Sequence, residues 1–548
     1  MKRMISLVAF GAVINANAAT QQLLWGETTK EGLASFTGFS NPQNALITNQ
    51  SQPDYQLKRL KPSGSPHTRY QQMYKMIPIW GHEIIVHSNK NKSLVTGMMI
   101  KEIEQDIPIL NAQFTAAAIE EKLSKKITDR IKFKKTEKII FLDPKKKAHL
   151  AYHVVFYTNG TGFHIHSPNY IVDAQSGAIL KEWDNMHSEN IGQGMGGNSF
   201  PLPYRSGVFQ HGNAFPGFPS LGKFDVQVVN GFCLVENETF RTINLKNTHL
   251  GYDAFPVTTL DEREKKLDVF SYPCDALSQY INFSDGLSGP INYSYSPIND
   301  TMYFAQKTIE MYQAVYHQEK PLGDDLPLRA YTHLGGMDNA FSIPTIYVGN
   351  HIYSHQQIVI GNGDQFLTAP AQTVVGHELS HNFTELNSRL IYDGQSGGIN
   401  EAFSDMAAIA LQDYLRQEYP WYWDGEDWSL GREAVIGGSP LRFMDEPSKD
   451  GHSISHADDY HDELNVHFSS GVFNKAFYLL AHKPDWSIQK AFQVMVDANK
   501  NYWAPLAYYD FAACGVIQAT YDREWDAEAV IAAFDEVGVH CPIHHFPT

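Results

Sequence analysis

The sequence predicts an α+β fold. A sheet-rich region leads into a helical one through a single helix that carries paired histidines, and a separate α+β module stands ahead of both. Three observations carry this. Val374-Val375-Gly376-His377-Glu378-Leu379-Ser380-His381 spells H-E-x-x-H at helical spacing. Upstream of it lie short strand-like runs broken by turn residues, and downstream of it apolar residues recur at helical intervals. A Gly-rich stretch, Ser188 to Asn198, separates these regions from the first module and reads as a linker.

The histidine pair is the most specific signal. A helix turns once in about 3.6 residues, so i and i+4 share a face and His377 and His381 can aim two imidazoles at one point. Glu378 can reach a water held there, which is the arrangement of a zinc site with a general base. Gly398-Ile399-Asn400-Glu401-Ala402-Phe403-Ser404-Asp405 sets Glu401 and Asp405 on one face of a second helix. A catalytic zinc typically takes three protein ligands and leaves one position to water, so Glu401 is the natural third. Asp405 can accept the other ring N–H of His377 and fix its tautomer, with Asn400 as a further supporting group.

H-E-x-x-H followed by G-x-x-N-E-x-x-S-D resembles the thermolysin family of secreted neutral metallopeptidases, and more closely its pseudolysin-like branch. The distances along the chain from His381 to Glu401 and to Tyr392 fit that family. The resemblance implies a thermolysin-like catalytic domain, protein and peptide substrates and one catalytic zinc. It implies that Tyr392 and His467 donate hydrogen bonds to the developing oxyanion, with Asp462 orienting His467. Asn339 and Ala340 would pair with substrate backbone, and Arg442 would bind a substrate carbonyl. Leu441 and Val374 would line an apolar pocket for the side chain after the scissile bond. One departure concerns calcium, which family members bind with carboxylates near the zinc helix. Thr373 and Gln412 stand where two of these are expected, although Asp413, Asp424, Glu426 and Asp427 could rebuild a site.

Two rival readings lack their marks. Zinc aminopeptidases typically carry a Gly-x-Met-Glu-Asn segment, which is absent from this sequence. A non-catalytic zinc-bearing binding protein would be expected to lose Glu378 or His467, and both are present.

Composition bounds the rest. A net charge of −17 argues against nucleic acid or an anionic membrane as the main partner. Met1-Lys2-Arg3, an apolar run to Ile14 and Ala16-Asn17-Ala18 read as a secretory signal peptide, 1–18, too short for a stable membrane span. Export through the periplasm of a Gram-negative bacterium is expected, with the mature protein a monomer. Cys233, Cys274, Cys514 and Cys541 suggest disulfides in an exported chain, with three connectivities open. Chain order favours Cys233–Cys274 and Cys514–Cys541, and the resemblance implies the same pairs.

Along the chain, the stretch to about Lys61 is rich in Gln, Asn, Ser and Thr and carries no motif. Arg69 to His87 reads as two strands with a turn marked by Pro78 and Gly81, similar to a fungalysin/thermolysin-type propeptide motif over about 50–100. A helix at Ala116–Lys126, a basic run and a hairpin over Tyr170–Leu180 resemble a PepSY-like module, about 101–186. The basic run is either a solvated face or a docking face for the acidic remainder. The propeptide would span 19–190, act as intramolecular inhibitor and chaperone, and be cut at or near Asn190–Ile191. The catalytic subdomains would be 191–375 and 376–548. Helices are expected at Thr301–His317, Glu401–Arg416, Ser469–Ala481, Ser487–Asn501 and Asp526–Phe534.

Overall fold

The computed structural model describes residues 19–28, 46–49, 52–60, 67–88, 93–127, 130–159, 165–184, 187–188, 226–248, 269–273, 297–323, 327–348 except 336 and 338, 351–362 except 355, 371–418 and 428–543 except 433 and 436–438. The signal-peptide segment and the Gly-rich stretch beyond Ser188 fall outside them.

The first module is built on an 11-stranded sheet. Its long strands Arg130–Leu142 and Ala148–Asn159 pair antiparallel, and the helix Ala116–Ser124 covers one face through Ile119 and Leu123. Thr115 caps that helix by accepting from the Ala118 N–H. The turn expected at Pro78 and Gly81 lies elsewhere. Lys75 and Met76, both at positive φ, make it, and Ile77–Ser88 runs on as one strand through Pro78 and Gly81. Gly81 has φ +71°, and a Cβ there would sit 2.3 Å from Leu506 Cδ1. It is therefore a point of close approach to the helical part.

The stretch before Lys61 has more structure than its polar composition suggests. Thr20–Thr28 pairs antiparallel along its length with Ser93–Lys101. Trp25 then stacks on Tyr502 at 6.0 Å and meets Phe511 edge-on at 5.8 Å. Arg69 is buried beside them and donates to the carbonyls of Trp503 (2.9 Å) and Lys500 (3.1 Å). Glu83 pairs with Arg69 and with Arg389, and Lys181 pairs with Asp393. The basic run pairs within its own module, Lys134 with Glu120 and Lys125 with Glu121. Among the described residues, the ion pairs that reach the second part thus come from Glu83 and Lys181, while Arg69 reaches it through backbone carbonyls.

This contact should weaken in acid. His67 and His87 pack together, and His87 stacks on Tyr502 at 4.7 Å. Burial, then the nearby Arg69 and Lys500 cations, push the His67 pKa down to about 4. Burial, then His67 and Arg69, hold His87 well below its ordinary value. The other charges around them are Glu83, paired with Arg69, and Arg389 beyond it. Both rings are neutral when packed but take up protons near pH 6.5 when released. The packed state therefore binds fewer protons below that pH, and its stability falls as pH drops from about 6.5 toward 4. The full chain should melt at a lower temperature at pH 5 than at pH 7.5, and His87→Gln should flatten that dependence. Identical pH slopes in the two proteins would contradict the assignment.

The second part opens with a five-stranded sheet ordered His187–Ser188, Ala340–Ile343, Gln357–Gly361, Leu328–Leu334, Phe240–Thr248. Its outermost strand on one side belongs to the first module. His187 lies opposite Ser342 and Ser188 opposite Phe341, antiparallel. The helices Pro297–Ala314, Gln372–Leu386 and Gly394–Glu418 pack behind this sheet into one core with the C-terminal helices. Gly394–Glu418 begins earlier than the apolar pattern suggests, and Ser469–Ala481 is broken at Ser470 into Val466–Ser469 and Gly471–Ala481. Tyr509–Asp522 is a helix that the periodicity missed. Its Ala, Cys, Gly, Val and Ile residues are buried all round, so no polar face marks the period.

The disulfide Cys514–Cys541 ties this helix to the C-terminal segment across a separation of 27 residues. Cys233 is buried and disulfide-bonded, and its expected partner Cys274 lies outside the described residues. Loop closure over 27 residues contributes about 3–4 kcal/mol in the chain-entropy account. Cys514→Ser/Cys541→Ser should accordingly lower the denaturation midpoint by a matching amount. An unchanged midpoint would show that the bond adds no stability.

Candidate active site

The helix Gln372–Leu386 turns His377 and His381 toward the helix Gly394–Glu418, whose Glu401 faces them. The three are buried, and one ligand atom from each lies within 4.8 Å of the others. His377 Nε2 and His381 Nε2 are 3.0 Å apart, and each is 3.4 Å from a Glu401 oxygen. The far side of each ring is engaged. His377 Nδ1 lies 2.8 Å from Asp405 Oδ1, and His381 Nδ1 lies 2.9 Å from Asn400 Oδ1. Asn400 Nδ2 donates to the Leu390 carbonyl, which fixes the amide so that its oxygen faces His381.

Asn400 Oδ1 accepts from His381 Nδ1–H, so His381 Nε2 presents a lone pair, 3.0 Å from His377 Nε2. Burial opposes charging of His377, but Glu401 and Asp405 outweigh it and raise its pKa well above the ordinary value, so the cluster draws positive charge to this point. The charges agree. Burial opposes ionisation of Glu401, but His467, His381 and His377 outweigh it and hold its pKa well below the ordinary value. Burial likewise opposes ionisation of Asp405, but Arg442 and then His377 outweigh it. His381 is pushed down to about 4 by burial, against Glu401, so it stays neutral. Two nitrogens and a carboxylate at these spacings fit a zinc-type donor set.

Asp405 is fully buried and accepts three hydrogen bonds. Arg442 grips it in a fork at 2.9 and 2.6 Å, Asn474 donates at 2.8 Å, and His377 lies on the remaining side. Asn474 was not anticipated. Its signal was a lone amide among Val472, Phe473, Ala476 and Phe477 on a buried helix face.

Tyr392 and His467 come from either side. Tyr392 OH donates to Glu401 Oε1 and lies 3.2 Å from His467 Nε2, which is 3.6 Å from Glu401 Oε2. The paired glycines of Gly397-Gly398 allow the approach. A Cβ on Gly397 would sit 2.4 Å from Val466 Cγ1, and one on Gly398 2.3 Å from Ser469 Oγ. Asp462, expected against His467, is exposed, and among the described residues it makes no hydrogen bond to that ring. Asn465 Oδ1 holds His467 Nδ1 instead, at 2.7 Å.

Beside the three ligand groups, Asn339, Ala340, Val374, Leu441 and Arg442 line a single cleft with His377 and Glu378. All the residues expected to meet substrate are thus brought together. Thr373 and Leu430, not anticipated, line it too. Thr373 Oγ1 accepts from the Gly431 N–H, so this position ties the segment at 430 to the histidine helix. Asp413 is engaged by Arg416 and Gln417, while Asp424, Glu426 and Asp427 lie outside the described residues.

Comparison with known proteins agrees with this geometry. Residues 222–385 match the thermolysin metallopeptidase catalytic domain, residues 388–539 its alpha-helical domain, and residues 59–96 the fungalysin/thermolysin propeptide motif. The chain is 33% identical over 493 residues to the hemagglutinin/proteinase of Vibrio cholerae serotype O1, covering 87% of this chain and 72% of that protein. It is 30% identical over 500 residues to a zinc metalloproteinase of Legionella pneumophila, covering 86% and 85%. Against thermolysin of Alicyclobacillus acidocaldarius subsp. acidocaldarius it is 26% identical over 505 residues, covering 86% and 83%. With a cation-seeking His-His-Glu cluster in a cleft, a propeptide motif ahead of it and both catalytic domains matched, the chain belongs to the thermolysin family of zinc metalloendopeptidases.

Proposed function

We propose that the chain is a secreted proenzyme with a signal peptide at 1–18, a propeptide at 19–190 and catalytic subdomains at 191–375 and 376–548. The mature enzyme is a monomeric zinc endopeptidase. The observation that carries the reading is the convergence of the His377 and His381 Nε2 atoms on a buried, ionised Glu401, with Glu378 in the same cleft.

His377, His381 and Glu401 are the zinc ligands, with Asp405 and Asn400 holding the two rings by their far nitrogens. Zinc bound there supplies Lewis-acid chemistry, acidifying water toward neutrality and polarising a carbonyl. Glu378 accepts the proton of the attacking water and later delivers it to the leaving amine. Tyr392 OH and His467 Nε2, 3.2 Å apart, donate to the oxygen on which negative charge develops. Arg442, fixed by its fork to Asp405, offers its remaining N–H groups to a substrate carbonyl.

Asn339 and Ala340 bind substrate backbone. The antiparallel pairing of His187–Ser188 with the strand Ala340–Ile343 supports this, because it is the strand-addition mode that an extended peptide uses. Val374 and Leu441 form one apolar wall with Ala371, Ala434 and Val435, which supports a preference for an apolar residue after the scissile bond. Thr373 is neutral and already bonded to Gly431, so calcium near the zinc helix is read as doubtful and any dependence on it as weaker than in thermolysin-like relatives.

Casein cleavage by the matured enzyme tests the reading. A zinc chelator should abolish cleavage, zinc should restore it, and a calcium-selective chelator should leave it in place. Cleavage that survives zinc removal would overturn the proposal. Loss of activity to the calcium chelator alone would overturn the calcium reading. No helix among the described residues is long and apolar enough to cross a membrane.

A further inference from the structure

We propose that Asn465, and not the acidic Asp462, is the positioning residue that aims His467 into the active site. The inference rests on the role given to His467 above. Asn465 Oδ1 lies 2.7 Å from His467 Nδ1 and 2.9 Å from the backbone nitrogen of the same residue. A backbone N–H can only donate, so the atom facing it must be the amide oxygen. That removes the usual ambiguity of an asparagine amide. The same oxygen can only accept from the ring, so Nδ1 carries a proton, and Nε2 is the atom turned toward Tyr392 OH (3.2 Å) and Glu401 Oε2 (3.6 Å). A ring with one nitrogen pinned in this way cannot flip to offer its carbon edge to the cleft.

The turn that carries the ring is held independently of it. Asn465 caps the single turn Val466–Ser469. Ser470 Oγ donates to the His467 carbonyl at 2.6 Å, and Tyr509 OH donates to the Ser469 carbonyl at 2.7 Å. Capping and ring orientation are therefore separable functions of one side chain. Serine is an equally good cap, but it is too short to reach Nδ1 as well. Aspartate keeps both acceptor positions. Asp462 is exposed three residues earlier, and its charge acts on Tyr460.

The test uses the full chain, matured by immobilised wild-type enzyme so that processing does not depend on the variant, and loaded with zinc. Asn465→Ser should lower kcat on a synthetic peptide by about 10–100-fold, the scale of a misaimed catalytic group, with KM and melting temperature nearly unchanged. Asn465→Asp should restore kcat to within a few-fold. The imidazole nitrogen spectrum of His467 should show a protonated, hydrogen-bonded Nδ1 in wild type and Asn465→Asp, and a mixture of hydrogen-bonded and free Nδ1 in Asn465→Ser. If His467→Ala lowers kcat while Asn465→Ser does not, the inference is overturned and the reading of His467 stands. If Asp462→Asn reproduces the loss and Asn465→Ser does not, Asp462 is the positioning group. If His467→Ala leaves kcat intact, the reading of His467 falls and this inference falls with it.

Discussion

A Glu378→Gln precursor is expected to fold, take up zinc and remain uncut. Glutamine keeps nearly the volume of glutamate and leaves His377, His381 and Glu401 in place, so only the proton acceptor is lost. General-base catalysis contributes about 10²–10⁴-fold, enough to stall a slow self-cleavage. The geometry presents the propeptide to its own enzyme. His187–Ser188 runs antiparallel to Ala340–Ile343 with Ser188 opposite Phe341, and that direction leads toward the end of the strand where Ala340 and Asn339 line the cleft. The proposed cleavage, at or within a few residues of Asn190–Ile191, falls outside the described residues, and its product is what the experiment reads. Electrophoresis should show a full-length band that persists in Glu378→Gln and converts to a mature-sized, inactive product when active enzyme is added. Maturation of purified Glu378→Gln at the wild-type rate would mean that Glu378 is not the base or that another protease performs the cut.

Asp405→Ala should be strongly destabilising although it replaces no metal ligand. Asp405 is fully buried, carries the Arg442 fork, receives the Asn474 amide and supports His377. Removing it strands a buried guanidinium, and breaking one partner of such a pair costs about 3–5 kcal/mol. It also frees the His377 ring, and loss of a carboxylate behind a metal-binding histidine typically weakens metal affinity about 10–100-fold. Asp405→Asn, which keeps the shape and one acceptor, should fall between. Denaturation midpoints and zinc titrations of the three proteins measure both effects. Wild-type stability and zinc affinity in Asp405→Ala would show that this network is not structural.

The site was more legible in the sequence than the fold around it. His377, His381, Glu401 and Asp405 lie on two helices at i, i+4 spacing, so local geometry alone dictates which side chains converge. Asn339, Arg442 and Leu441 were placed only by resemblance, because sheet pairing and loop return bring them to the cleft from afar. The residue beside the His467 ring is hard to read from spacing for a related reason. Between Asp462 and His467 the chain makes a turn whose cap, Asn465, reaches the ring first, and spacing does not encode that competition. The turn at Lys75-Met76 was hidden by the stronger signals of Pro78 and Gly81, both of which proved compatible with one continuous strand. The packing of Trp25 and Arg69 is not legible in the sequence because what they pack against, Tyr502 and Trp503, lies more than four hundred residues away in the chain.

The central claim is that one zinc ion, held by His377, His381 and Glu401, is what this chain's active site is built around. Metal analysis of the matured enzyme tests it most directly, with His381→Ala and Glu401→Ala measured alongside. One zinc per molecule in the active protein is expected, with each substitution losing the metal and the peptidase activity together. Active protein that holds no zinc, or variants that keep the metal at full occupancy, would contradict the account.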